Sequence, residues 1–185
     1  MHHQILVRNM YYTQSEQCDT IVKGHSGRPA GYPDIDFYPN LLFYIQRNQN
    51  INTVVYEANI ISGNMVNLSD PINIKWIKFG KNDEQEIQSL NYIQRKLAYG
   101  YHFKIINHDL IEFCFVSYES MKFFLCKDKK NNFRVSTVIN EVMSLVDRIY
   151  IYAEDLGIFP QVKFAEFFGR NMLTNEKVYK KLFFQ

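Results

Sequence analysis

From residue 41 onward, short runs of β-branched and aromatic residues recur, each closed by a cluster of Asn, Asp, Gly or Ser. Within a run the apolar positions alternate. Ile72, Ile74 and Trp76 are separated by Asn73 and Lys75, the period of two that sends one set of side chains into a core and the other into water. The same criterion gives strands over 41–47, 52–61, 101–106, 110–118, 122–127, 133–139, 144–152, 162–168 and 178–184. Turns fall at Ser62-Gly63-Asn64, at Asn107-His108-Asp109 and within 128–132 and 171–175. Strands returning at intervals of roughly 8–12 residues predict a mainly β fold, an antiparallel β-sandwich or barrel of about eight to ten strands.

One segment departs from that period. Asp83 stands where an N-cap belongs, with Glu86 three residues on. Ile87, Leu90, Ile93 and Leu97 follow at helical spacing, and Gly100 occupies a stop position. These signals predict one helix over 84–98. Residues 138–149 also fit a helix through Val138, Val142, Leu145 and Ile149. The alternating flanks Phe133-Val135-Thr137 and Ile149-Ile151 favour a hairpin instead.

Residues 1–37 hold neither period, and 24–33 is rich in Gly and Pro. The expected organisation is an irregular N-terminal arm (1–37) followed by one β-rich domain (38–185). Ile5, Leu6, Val7, Tyr11 and Tyr12 are apolar anchors too scattered to build a core, and they suit an arm that docks on another protein. The chain is 46% hydrophobic and 16% aromatic, enough apolar surface to exclude wholesale disorder. Its 21 basic and 19 acidic residues nearly balance, so nothing in the charge calls for nucleic acid.

No apolar run is long enough for a membrane-spanning helix, and Met1–Gln14 lacks the apolar stretch of a secretory signal. Cys18, Cys114 and Cys126 form neither an even disulfide set nor a Cys-x-x-Cys pair. A reducing intracellular compartment is expected, and an uncleaved amino terminus leaves mitochondrial import open.

The polar set with most chemical interest is Tyr44, Arg47, Tyr92, Arg95 and Glu57, flanked by Tyr56 and Tyr99. Arg offers a fork of donors for a carboxylate or phosphate, and Tyr offers an apolar wall with a polar tip. The set reads either as an anion pocket or as an internal Arg–Glu57 bridge with tyrosine hydroxyls satisfying loops. The echo of Tyr44-Ile45-Gln46-Arg47 in Tyr92-Ile93-Gln94-Arg95 has unlike flanks and reads as chance. The histidines have no metal-site spacing, so no metal or cofactor is expected. Gly24-His25-Ser26-Gly27-Arg28 misplaces the second glycine of a nucleophile elbow. His102 or Cys114 with Glu112 or Glu119 are the seeds a hydrolase would have to use. The basic tip at 127–134 reads as a solvated turn.

Leu42–Arg47, Asn52–Asn59, Asp70-Pro71-Ile72 with Trp76-Ile77, Leu90–Gly100 and Glu166-Phe167-Phe168-Gly169 together resemble the family catalogued as domain of unknown function 4833, over about residues 40–181. The resemblance implies the extent of the domain. The family carries no activity, so it implies no catalytic residue. Its bacterial members often look exported, and this chain departs from them in lacking a signal peptide. The expectation is a non-catalytic structural or accessory subunit that binds other proteins, or a second copy, within an intracellular assembly. The alternative is a β module that binds a small anionic ligand through Arg and Tyr, with a hydrolase as the remote reading.

Overall fold

The computed structural model describes residues 28–35, 38, 40–80, 85–128, 130–154 and 160–184. Thirteen strands dominate it: β1 (Leu41–Arg47), β2 (Asn50–Ala58), β3 (Ile60–Ser62), β4 (Met65–Val66), β5 (Ile72–Phe79), β6 (Gln85–Ser89), β7 (Tyr101–Asn107), β8 (Leu110–Phe115), β9 (Tyr118–Lys127), β10 (Phe133–Ile139), β11 (Val142–Glu154), β12 (Gln161–Asn171) and β13 (Lys177–Phe183). A helical segment α1 lies between β6 and β7, one α turn (Tyr92–Gln94) running into a π turn (Arg95–Tyr99). The alternation in the sequence is thus realised as a mainly β fold. The hairpin over 138–149 forms as expected. Asn140 and Glu141 close it with φ of 50° and 63°, the positive pair that matches the twist of two antiparallel strands.

Eleven of the strands make one curled sheet, a half-barrel, β3 and β4 forming a separate pair, and β11 is where the large sheet forks. β12 pairs along the length of β11 from Ser144 to Glu154, which takes one of its two edges. The other edge is shared. β10 pairs antiparallel with Val142–Leu145, and β1 pairs parallel with Arg148–Ile151. From the fork, β1, β2, β5 and β6 run one way and β10, β9, β8 and β7 the other. The two wings face each other across the core. Phe43 of β1 stacks on Tyr56 at 4.4 Å between ring centroids, and its ring also meets Phe113 and Phe123 of the opposite wing at 6.5 and 6.4 Å. α1 closes one end, where the Tyr56 hydroxyl donates to Tyr99 O at 2.8 Å. Tyr101 of β7 reaches back to β5, accepting from Ile72 N at 2.9 Å and donating to Asp70 Oδ1 at 2.7 Å.

Two features differ from the sequence reading. The sheet is mixed, because β1 meets β11 in parallel; a parallel pair needs a long crossover, and here the crossover contains β2 to β10. The helix expected over 84–98 begins only at Tyr92. Residues 85–89 are strand β6, paired with β5 from Lys75↔Ser89 to Phe79↔Gln85. The open edge of β5 offers a row of backbone partners, and that outweighs a helical stripe that would bury little. Ile87, Ile93 and Leu97 remain 53, 65 and 58% exposed. The cap is Asn91, whose side chain and that of Gln94 form a reciprocal capping box. Asp83 and Glu84 lie outside the described residues.

A second, smaller apolar cluster sits on the outer face of β1, β2 and β5: Ile35, Tyr44, Val55 and Ile77, with Tyr38, Leu41 and Phe79 against it. Residues 28–35 of the expected arm therefore lie on the sheet, and Ile35 is fully buried. Ile5, Leu6, Val7, Tyr11 and Tyr12 lie outside the described residues. No described helix is long and apolar enough to cross a membrane.

The fork depends on Gly169. It pairs with Val146 beside a bulge that places Asp147 out of register. A Cβ there would sit 2.1 Å from Leu145 O and 2.9 Å from Ile139 Cδ1. Gly169→Ala is expected to lower stability by about 2 kcal/mol or more, since the backbone of β11 must move. Urea unfolding with an unchanged m-value measures it; an unchanged midpoint would contradict the tight approach.

Candidate functional site

The structure separates the five residues of the expected ligand set. Tyr44 and Arg47 lie on one strand, β1, three positions apart, and an odd spacing in a strand puts side chains on opposite faces. Tyr44 faces outward, where its hydroxyl donates to Asp34 Oδ1 at 3.0 Å. Arg47 faces the core side, over the rings of Trp76 and Tyr99 at 5.1 and 5.7 Å. Glu57 is buried on the outer face, and its cation is Lys75 on the neighbouring strand at 2.9 Å, not an arginine. Arg95 and Tyr92 are exposed on α1, with Lys96 over the Tyr92 ring at 5.6 Å. Only Arg47 meets a tyrosine of the flanking set, Tyr99.

What the sequence did not reveal is the polar network on the outer face. Gln46, on the same face as Tyr44, is fully buried. Its amide nitrogen donates to Pro33 O at 2.6 Å and Thr53 Oγ1 at 3.1 Å, while its oxygen accepts from Arg28 Nε at 2.7 Å. Arg28 also bonds Tyr32 O, Pro33 O and Asp34 Oδ1. Asp34 gathers Arg28, Tyr44 and, at 3.7 Å, Arg148. One buried amide thus fastens 28–34 to the sheet. Burial first, then Asp34, raises the Tyr44 phenol above its ordinary pKa.

The network continues across the parallel pairing, where Gln46 is level with Tyr150 and Tyr44 with Arg148. Arg148 lies over the Phe168 ring at 4.3 Å. Glu166, fully buried, accepts from the Tyr179 hydroxyl at 2.5 Å and has Lys181 Nζ at 3.8 Å. Burial, then Glu166, raises the Tyr179 phenol. The Tyr150 hydroxyl is buried with no partner. Burial, with Tyr32, Glu166 and Tyr152 adding and Arg28 opposing, pushes it up to about 12.

The hydrolase seeds share the outer face of β7–β9. His102 is opposite Cys114 in register, and its Nε2 is 3.6 Å from Glu119 Oε1. Both His102 and Glu119 stand mostly in solvent, at 65 and 67% exposure, where an ion pair contributes little. At the basic tip Asp128 accepts from Lys130 N and Asn132 N at 2.8 and 2.9 Å, which makes it an ordered turn.

The sheet ends in three strands with a free edge among the described residues, β6, β7 and β13. β6 presents Gln85, Glu86, Gln88 and Ser89 with one exposed apolar residue, Ile87, and β13 presents Lys177, Lys180 and Lys181 with one, Phe183. Polar and charged residues of this kind discourage edge-to-edge pairing. β7 is different. Phe103 and Ile105 remain 37 and 43% exposed, and Tyr101 to Asn107 pairs only with β8 among the described residues.

Two measurements probe the outer face. Gln46→Leu removes the buried amide's hydrogen bonds with Arg28, Pro33 O and Thr53 and is expected to cost about 2–4 kcal/mol in urea unfolding. Arg28→Met should add much less on top of it, as one network requires. Tyr150→Phe removes a hydroxyl that has no partner and should leave stability at pH 7 unchanged or raise it by roughly 1 kcal/mol. The folded Tyr150 phenol ionises near pH 12 and the unfolded one near 10. Stability is therefore unaffected below pH 10 and falls from there towards 12, as the unfolded chain releases a proton that the folded chain retains. The variant should lose less than the parent over that interval in thermal melts.

Neither a curated protein nor a solved structure matches the chain. A family profile described as a domain of unknown function (DUF4833) does match, over residues 43–181, from within β1 to within β13. That span takes in both wings of the sheet, the fork and α1, and the chain belongs to the DUF4833 family.

Proposed function

We propose that the protein is a non-catalytic accessory subunit that binds an extended segment of another protein along β7. The observation that carries this reading is a pair of apolar side chains, Phe103 and Ile105, open to solvent on one face of β7, where β6 and β13 expose one each, Ile87 and Phe183, among polar and lysine residues. A strand added there would satisfy a row of backbone groups and cover both side chains.

The chemistry of β7 favours a foreign segment over a second copy. Lys104 is the central residue of the strand and has no ion pair among the described residues. Two copies pairing antiparallel about that centre would oppose Lys104 to itself, a destabilising arrangement. A partner strand with alternating apolar residues and an acid opposite Lys104 has no such conflict. An intracellular, reducing setting suits this subunit, since Cys114 and Cys126 are both free thiols.

Selection of peptides from a random display library on the purified chain tests the reading. Enriched peptides are expected to alternate apolar residues and carry Asp or Glu, and a Phe103→Lys/Ile105→Lys double variant that melts as the parent does should retain less than a tenth of the binding. Failure to enrich any peptide, or equal binding to the double variant, would sink the proposal.

A further inference from the structure

A second feature has nothing to do with β7. Where α1 begins, β6 runs beside β5 and leaves a cleft of about 260 Å³ lined by Asn52, Trp76, Lys78, Gln88, Asn91 and Gln94, with Ser89 completing it. That volume falls below the usual range for drug-sized ligands and suits a small metabolite. Its chemistry is one-sided. The side-chain oxygen of Asn52 accepts from Phe79 N at 3.1 Å. That of Asn91 accepts from Gln94 N at 2.8 Å, and that of Gln94 from Asn91 N at 3.0 Å. Each amide is oriented by a backbone N–H on its oxygen, so the group it has left to offer is its NH₂, a donor. Gln88 is the exception, its nitrogen held by Glu86 Oε1 at 2.6 Å.

The charged and aromatic groups point the same way. Lys78 has no ion pair among the described residues. Trp76 is 7% exposed, and its indole N–H is buried with no acceptor among the described residues, an arrangement that costs a folded protein about 1–3 kcal/mol. Arg47 lies over the Trp76 ring at 5.1 Å, half-buried, and its guanidinium has no carboxylate among the described residues. Among the described residues the acid nearby is Glu86, which lines the adjoining cleft with Lys78. Lys78 and three oriented amide donors line one small space beside Trp76, and Arg47 lies over the ring of that tryptophan.

We propose that this cleft binds a small oxyanion, a phosphate- or carboxylate-bearing metabolite, with Asn52, Asn91 and Gln94 donating to its oxygens, Lys78 balancing its charge, and Arg47 adding a positive field from over the Trp76 ring. An ammonium group favours such oxygens through charge-assisted hydrogen bonds. Arg47 is held over Trp76 and Tyr99, where its charge adds to the positive field around the cleft.

Trp76 is the single tryptophan of the chain, so its fluorescence reports the site directly. The full chain is titrated at constant ionic strength with inorganic phosphate, with succinate and with glucose. The expected result is a saturable change with phosphate or succinate, whichever binds tighter assigning the class, and none with glucose. An Arg47→Met/Lys78→Gln variant should bind at least tenfold more weakly. In the unmodified protein, the side-chain amide resonances of Asn52, Asn91 and Gln94 should shift on titration, which keeps the test independent of how the variant folds. No saturable response to either anion, equal affinity in the double variant, equal binding of glucose, or amide shifts confined to other residues would each overturn the proposal.

Discussion

β11 has two edges and three partners. β12 occupies one edge along most of its length, so β10 and β1 must divide the other between Val142–Leu145 and Arg148–Ile151. A flat sheet cannot accommodate that division. β11 bulges at Asp147, the sheet splits into two wings, and the wings close on a core of stacked Phe43, Tyr56, Phe113 and Phe123. A bulge bends a strand and sharpens its twist, and the strand opposite must lie close. This is why position 169 has no Cβ to spare.

The fork also explains why β1 does not alternate. Leu42, Phe43, Tyr44, Ile45 and Gln46 are all buried in succession, because β1 packs the aromatic core on one face and residues 28–35 on the other. The outer covering is polar as much as apolar. Gln46 is satisfied by three partners, one of them the Arg28 guanidinium, and a buried amide tolerates that position only when its partners are all in place. Ile35 seals the same face with apolar area. Covering and sheet therefore stand or fall together.

The places open to partners are set by where the wings stop. One wing ends at β7, whose own residues Phe103 and Ile105 are level with Phe113 and Ile111 of the core. The other ends at β6, and the junction of β6 with α1 makes the donor-lined cleft against Trp76. The two proposed sites occupy two ends of one curled sheet, the first proposed for backbone pairing and the second for a small anion.

By itself the sequence determined the mainly β class, the positions of most strands and most of the turns, because strand periodicity and turn residues act over a few positions. β1 and β10 have the boundaries expected of them, and Asn140-Glu141 turns where the alternating flanks require. The family was legible in the same way, from local runs such as Asn52–Asn59. What only the tertiary structure decided depends on contacts between distant residues. Residues 85–89 carry helical spacing, yet the unpaired edge of β5 claims them as a strand. Tyr44 and Arg47 sit three apart on β1, and the sheet sends one to Asp34 and the other to Trp76. Arg95 and Tyr92 share a motif with them and finish in solvent. The parallel meeting of β1 with β11, the close approach at Gly169 and the orientation of three amide donors by backbone N–H groups are all products of assembly. A run of ten residues cannot announce which edge, face or carbonyl will be beside it once the chain has closed.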